Sequence, residues 1–125
     1  MPQTRTLRIG YLKSMKVLVT GGAGYIGSAI CSALEDSGDV PVILDSLVTG
    51  KRAFTRGRAF YQGDIADRAL LERILSDHPD ISCTIHCAAL IVVPESVSEP
   101  YLYYRENVCK SLELFKNLAD LGQTR

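Results

Sequence analysis

The sequence carries no excess of charge. Its 14 Lys and Arg are matched by 14 Asp and Glu among 125 residues. That balance excludes a strongly basic nucleic-acid binder and a polyacidic tail. No apolar run approaches the roughly 20 residues that a membrane helix requires, so no membrane partner is expected. The first fourteen residues, MPQTRTLRIGYLKS, contain no acid and no apolar stretch of the kind a secretory signal needs, because Leu7 and Ile9 stand isolated. They read as a basic extension, residues 1–14, with a targeting extension as the other reading, and the folded domain starts near Met15. The four cysteines, Cys31, Cys83, Cys87 and Cys109, include no Cys-x-x-Cys pair. His86 lies between Cys83 and Cys87, but a strand there puts the two thiols on one face and the imidazole on the other. No metal site is expected, and the thiols read as the reduced, small apolar residues of a cytoplasmic protein.

What is present is ordinary for a globular chain: 46% apolar and 22% charged residues. The length fits one domain. From Met15 onward, apolar runs alternate with amphipathic segments. Lys16–Thr20 is a short β-rich run. Tyr25 to Ser37 has Ile26, Ile30, Ala33 and Leu34 at helical spacing, stopped by Ser37-Gly38. Val40–Leu44 is a second strand, with Pro41 tolerated near its start. A loop over Asp45–Arg58 leads to a third strand at Ala59–Gln62. Asp67 caps a helix to about Asp77 that presents Leu70, Leu71, Ile74 and Leu75 on one face. Ile81–Cys87 is a fourth strand. A last helix runs from Pro100 to about Leu121, and Tyr104, Val108, Leu112, Phe115 and Leu118 share one stripe on it. This alternation predicts an α/β domain with a doubly wound parallel sheet. Right-handed crossovers order its strands 3-2-1-4.

The strongest local signal is the run from Thr20 to Ser28, TGGAGYIGS. It follows a predicted strand and opens a predicted helix. Glycines there remove side chains, so that a diphosphate can approach the backbone and the free N–H groups of the helix start. Gly27, one turn in, lets the helix lie close to the sheet. Gly27-Ser28 lacks the lysine of a triphosphate-binding loop. Asp45, at the end of the second strand, supplies a carboxylate for ribose hydroxyls and repels a 2′-phosphate, which favours NAD over NADP. Lys51 and Arg52 soften that preference. The alternative for Asp45 is a simple turn or cap residue.

These residues resemble the start of an extended short-chain dehydrogenase/reductase of the NAD-dependent epimerase/dehydratase family. Leu44 to Gly50, Gly63-Asp64-Ile65 and His86-Cys87-Ala88-Ala89 fit as well. The run from Val93 to Pro100, followed by Tyr103-Tyr104-Arg105-Glu106-Asn107, is more similar to the UDP-glucose 4-epimerases than to the dehydratases. The resemblance covers residues 15–125 and the first third or so of a typical member. It implies a partial Rossmann-like NAD-binding domain, an N-terminal fragment with its later strands missing. It also implies roles. Gly21, Gly24, Tyr25, Ile26 and Gly27 hold the diphosphate. Asp45 binds the adenosine ribose, and Ser46, Leu47, Thr49 and Gly50 shape the wall beside it. Asp64 and Ile65 address the adenine edge. Cys87, Ala88, Ala89 and Leu90 pass under the diphosphate and nicotinamide ribose, and Asn107 faces the cofactor. Ile91 stands where some members have a lysine that contacts the cofactor.

The family reaction oxidises a nucleotide sugar at C4 and returns the hydride to the other face. It needs a tyrosine with a lysine four residues later on one helical face. None of the six tyrosines, Tyr11, Tyr25, Tyr61, Tyr101, Tyr103 and Tyr104, has a lysine there. No catalytic residue is therefore assigned, and the 125 residues alone are expected to be inactive. The alternatives are another nucleotide-sugar epimerase or dehydratase, and a non-catalytic dinucleotide-binding module. A nucleotide-sugar substrate belongs to the full-length enzyme. The resemblance also implies a homodimer formed through the Pro100–Leu121 helix. Strand four is expected to be an unprotected sheet edge that promotes self-association, partly hidden by the last helix.

Overall fold

A computed structural model describes residues 13–125. Most of the basic extension expected at residues 1–14 lies outside the described residues. Four strands form one sheet: β1 (Lys16–Thr20), β2 (Val40–Asp45), β3 (Ala59–Gln62) and β4 (Ile81–His86). Their order is β3-β2-β1-β4 and every neighbouring pair is parallel. β1 and β2 are central, and their side chains from Val17 to Thr20 and from Pro41 to Asp45 are buried on both faces. That explains their unbroken apolar runs. Pro41 sits in a central strand without breaking it, because pairing with β3 begins one residue later, at Val42.

Helix α1 (Tyr25–Asp36) covers one face of the sheet, where Val17, Val19, Cys31 and Ile43 form a small core. Helices α2 (Arg68–Asp77) and α5 (Lys110–Asp120) cover the other, over Leu18, Val42, Leu44, Leu71, Ile74, Leu114 and Leu118. The Asp67 side chain caps α2 by accepting from Leu70 N at 3.0 Å.

Two helix faces differ from the sequence expectation. Along α1 the residues turned to the sheet are Gly27 and Cys31, with Ile30 and Leu34 half-buried, whereas Ile26 and Ala33 are exposed. The helix lies so close to the glycine turn that only small residues fit beneath it. In the last helical region, Tyr104, Val108, Leu112 and Phe115 are exposed, and of the expected stripe only Leu118 is buried. The inward face is instead Asn107, Ser111, Leu114, Leu118 and Leu121, an equally regular stripe that is polar in its first half, and Tyr103 one turn before it bonds to Val92 and Glu95.

The region is also segmented. A short helix, α3 (Val93–Ser98), precedes it and was not expected. Helix α4 (Pro100–Tyr104) then passes through a wide turn at Arg105–Cys109, where Lys110 N bonds to Arg105 O, into α5. β4 ends one residue earlier than expected, at His86. Along its free edge, Thr84 N donates to Arg125 O at 2.9 Å, so the backbone beyond α5 touches this edge.

Candidate functional site

The carboxyl ends of the four parallel strands share one end of the sheet, the end at which doubly wound sheets hold ligands. At the end of β1 the chain turns through Gly21 to Gly24. Gly21 has φ +70°, and a Cβ on it would stand 2.6 Å from Ala88 N. A Cβ on Gly27 would stand 2.0 Å from Gly21 O. The turn is therefore folded tightly against both its own helix and the segment after β4. Ser28 N makes the first intrahelical bond, to Gly24 O at 3.0 Å. Among the described residues, the N–H groups of Tyr25, Ile26 and Gly27 ahead of it have no acceptor, and Gly24 provides no side-chain cap. Such a bare helix start attracts an anion. The Tyr25 and Ile26 side chains stand in solvent.

At the end of β2, the buried Asp45 carboxylate accepts from Ala23 N at 3.0 Å and from Leu47 N at 2.8 Å. It thereby joins the glycine turn to the bend after β2. A carboxylate has about four acceptor positions, so two remain. Asp45 is thus a turn organiser and a ribose acceptor candidate at once. Leu47, at φ +62°, takes the left-handed conformation that this bend imposes. Ser46 and Thr49 are exposed, and Gly50 lies against the Asp45 carboxylate, where a Cβ would stand 2.8 Å from Oδ1.

After β3, Asp64 accepts from Ala66 N at 2.8 Å and pairs with the Lys110 ammonium, which also meets Glu106 Oε2 at 2.7 Å. Burial opposes ionisation of Asp64, but Lys110 and the Ala66 N–H outweigh it and hold the carboxyl below its usual value. Burial likewise opposes the charge on Lys110, and its two carboxylates prevail, raising its pKa. Ile65 is buried in the core beside Leu18 and Leu44, so any ligand contact it makes is through the main chain.

After β4, the segment Cys87–Leu90 is pinned at both ends. Thr20 Oγ1 accepts from Cys87 N at 3.1 Å and from Ala88 N at 3.4 Å. The Asn107 side chain accepts from Leu90 N at 2.8 Å and donates to Leu90 O at 2.9 Å. Ala89 between them is exposed, and burial pushes the Cys87 thiol up. The structure thus places the expected residues in the segments that follow the carboxyl ends of the strands, with Asn107 bonded to the last of these segments and the Ile65 side chain in the core. Sequence reasoning missed Thr20, Lys110 and Ser111. Thr20 and Ser111 line the polar junction beneath Cys87–Leu90, and their only sequence signal was a hydroxyl at a strand end and another on a helix. His86 bridges them, with Nδ1 2.5 Å from Thr20 Oγ1 and Nε2 2.9 Å from Ser111 Oγ. Among the described residues no cluster of His, Cys, Asp and Glu could hold a metal ion.

A four-stranded parallel sheet with a glycine turn after its first strand, a bare helix start and a carboxylate at the end of the adjoining strand defines the Rossmann-like class. The chain belongs to the NAD dependent epimerase/dehydratase family, whose family model matches residues 17–125. It is 41% identical over 110 residues to a UDP-glucose 4-epimerase of Streptococcus mutans, a match spanning 86% of this chain and 33% of that protein. A UDP-glucose 4-epimerase of Klebsiella pneumoniae is 42% identical over 116 residues, covering 86% of this chain and 83% of that one. Among solved structures, the UDP-glucose 4-epimerase of Brucella ovis in complex with NAD superposes with a TM-score of 0.78 at 39% identity, over 84% of this chain and 32% of that one. The enzyme of Stenotrophomonas maltophila, with bound NAD and formylated UDP-arabinopyranose, gives 0.82 at 37%, over 88% and 35%. The chain thus spans about a third of the length of most of these relatives.

Proposed function

We propose that residues 15–125 are the N-terminal part of the NAD-binding domain of a UDP-glucose 4-epimerase, which interconverts UDP-glucose and UDP-galactose through a 4-keto intermediate. The observation that carries this reading is the pairing of Asp45 with the glycine turn. One carboxylate braces the loop where a diphosphate would lie and keeps two acceptor positions for ribose hydroxyls. The unpartnered first-turn N–H groups, on a turn that the absence of side chains at Gly21 and Gly27 lets fold tightly, fit the same group.

In this reading the amides of Tyr25, Ile26 and Gly27 hold the diphosphate, with Gly21 and Gly24 giving access to it. Asp45 orients the adenosine ribose, and Ser46, Leu47, Thr49 and Gly50 form the wall beside it. Asp64 and the main chain of Ile65 meet the adenine edge. Cys87, Ala88, Ala89 and Leu90 form the floor beneath the diphosphate and nicotinamide ribose, with Asn107 fixing that floor. Bound NAD supplies hydride acceptance and return. The 125 residues hold no Tyr-x-x-x-Lys pair, so they bind and orient the cofactor without turning over sugar. A nucleotide-sugar substrate, a cytoplasmic setting and a homodimer through the exposed face of α4 and α5 complete the proposal.

Titration with NADH and with NADPH tests it. NADH should bind saturably and more tightly than NADPH. Asp45→Asn, which keeps the size of the side chain, should narrow that preference about tenfold by removing the charge that repels a 2′-phosphate. An unchanged ratio, or no binding by folded protein, would sink the assignment.

A further inference from the structure

The contacts beneath Cys87–Leu90 dictate where protons sit. A hydroxyl has one hydrogen and two acceptor lone pairs. Thr20 Oγ1 accepts from Ala88 N at 3.4 Å and shares the Cys87 N–H, 3.1 Å away, with the Thr20 carbonyl oxygen at 3.0 Å, so both of its lone pairs face N–H groups. Its hydrogen is left for its remaining neighbour, His86 Nδ1, at 2.5 Å. Nδ1 is then an acceptor, and a neutral imidazole must carry its proton on Nε2. Nε2 lies 2.9 Å from Ser111 Oγ, which accepts it and passes its own hydrogen to Asn107 O at 2.7 Å. The donors run one way, from Thr20 through His86 and Ser111 to Asn107. Both ends of this chain grip the same segment: Thr20 holds Cys87 and Ala88, and the Asn107 side chain holds Leu90 N and O.

We propose that His86, as its Nε2–H tautomer, is a positioning residue that sets the placement of Cys87–Leu90 by coupling the end of β1 to the helix that carries Asn107. A second proton would put an N–H on Nδ1, facing an oxygen whose lone pairs already face N–H groups. Nothing in the surroundings compensates for that charge. β1 presents Thr20 to the ring, and α5 presents Ser111 and the edge-on Phe115 ring, with centroids 5.5 Å apart. Among the described residues no carboxylate contacts the ring. Burial alone pushes its pKa below the ordinary 6.5. Protonation therefore loosens Cys87–Leu90. That this segment carries the nicotinamide side of a dinucleotide rests on the function proposed above; the proton arrangement does not.

The sequence has two histidines, so a chain labelled with 15N-histidine gives two imidazoles, and His78→Gln assigns them. The expected spectrum of His86 near neutral pH is that of the Nε2–H tautomer, with titration below 6.5. Thr20→Val should mix the tautomers and speed amide exchange at Ala88 about fivefold, the effect of one hydrogen bond. Thr20→Ser should restore both. A dominant Nδ1–H form, titration at or above 6.5, or exchange at Ala88 unchanged in Thr20→Val would overturn the proposal. Should Thr20→Val fail to fold, the wild-type spectrum still decides. NADH affinity should fall as His86 takes its second proton. Absence of cofactor binding together with the Nε2–H spectrum would refute the assigned function and leave this inference standing.

Discussion

Single atoms set the tolerance of the glycine turn. A methyl group at Gly27 would have to share space with the Gly21 carbonyl and the Gly22 Cα. Both are backbone atoms and cannot swing aside, so the turn and α1 must separate. Gly27→Ala should cost about 3 kcal/mol or more, at the upper end for overpacking, read as a lower urea midpoint. The titration of His86 sets a pH dependence with a definite sign. Its folded pKa is depressed by burial, so above 6.5 neither state holds the extra proton and its contribution to stability is complete. As pH falls below 6.5 the unfolded chain takes up the proton first, and the contribution is lost until the folded pKa is passed. The difference in urea midpoint between wild type and His86→Asn should therefore shrink from pH 7.5 to pH 5.5. A constant difference would show that the folded state accepts the proton without penalty.

Among the elements, helix α2 behaves as its sequence reads. Its N-cap, its apolar face and its end are all local features, and Asp67→Ala should lower stability by about 1 kcal/mol through loss of the Leu70 N–H bond. The last helical region shows why legibility fails. Hydrophobicity points to Tyr104, Val108, Leu112 and Phe115, yet the inward side carries Asn107 and Ser111 because it meets the Leu90 main chain and the His86 ring. A helix that serves a polar site conceals its inward face from any apolar pattern. Helix α1 conceals its own for another reason, since close approach selects Gly27 and Cys31 over larger residues. The glycine turn and Asp45 were legible because strand–turn–helix spacing fixes them locally. Thr20, His86, Ser111 and Asn107 meet only through tertiary structure, so their shared role was not.

At the scale of the whole molecule the topology was legible to its strand order, because parallel strands with right-handed crossovers admit few arrangements. Among the described residues, the sheet leaves open its β4 side, where only the backbone near Arg125 makes a strand-like contact, and the outer face of α4 and α5, where Tyr101, Leu112 and Phe115 are more than half exposed. The chain should associate with itself, and Leu112→Glu with Phe115→Glu should shift it to monomer in sedimentation velocity. Association unchanged by that pair would place the contact at the β4 edge instead.

The sheet order also has a consequence in time. β1 is the first strand in sequence but lies inside the sheet, with Val17 beside Pro41 on one side and Cys83 on the other. Every pairing in the sheet is between strands separated by a crossover, and none is a hairpin that could form early and guide the rest. A ribosome that has completed β1 must synthesise the chain past His86 before that strand gains its second neighbour. Until then an apolar strand destined for the interior stands unprotected on one side, which makes slow folding and early chaperone capture part of the fold's design.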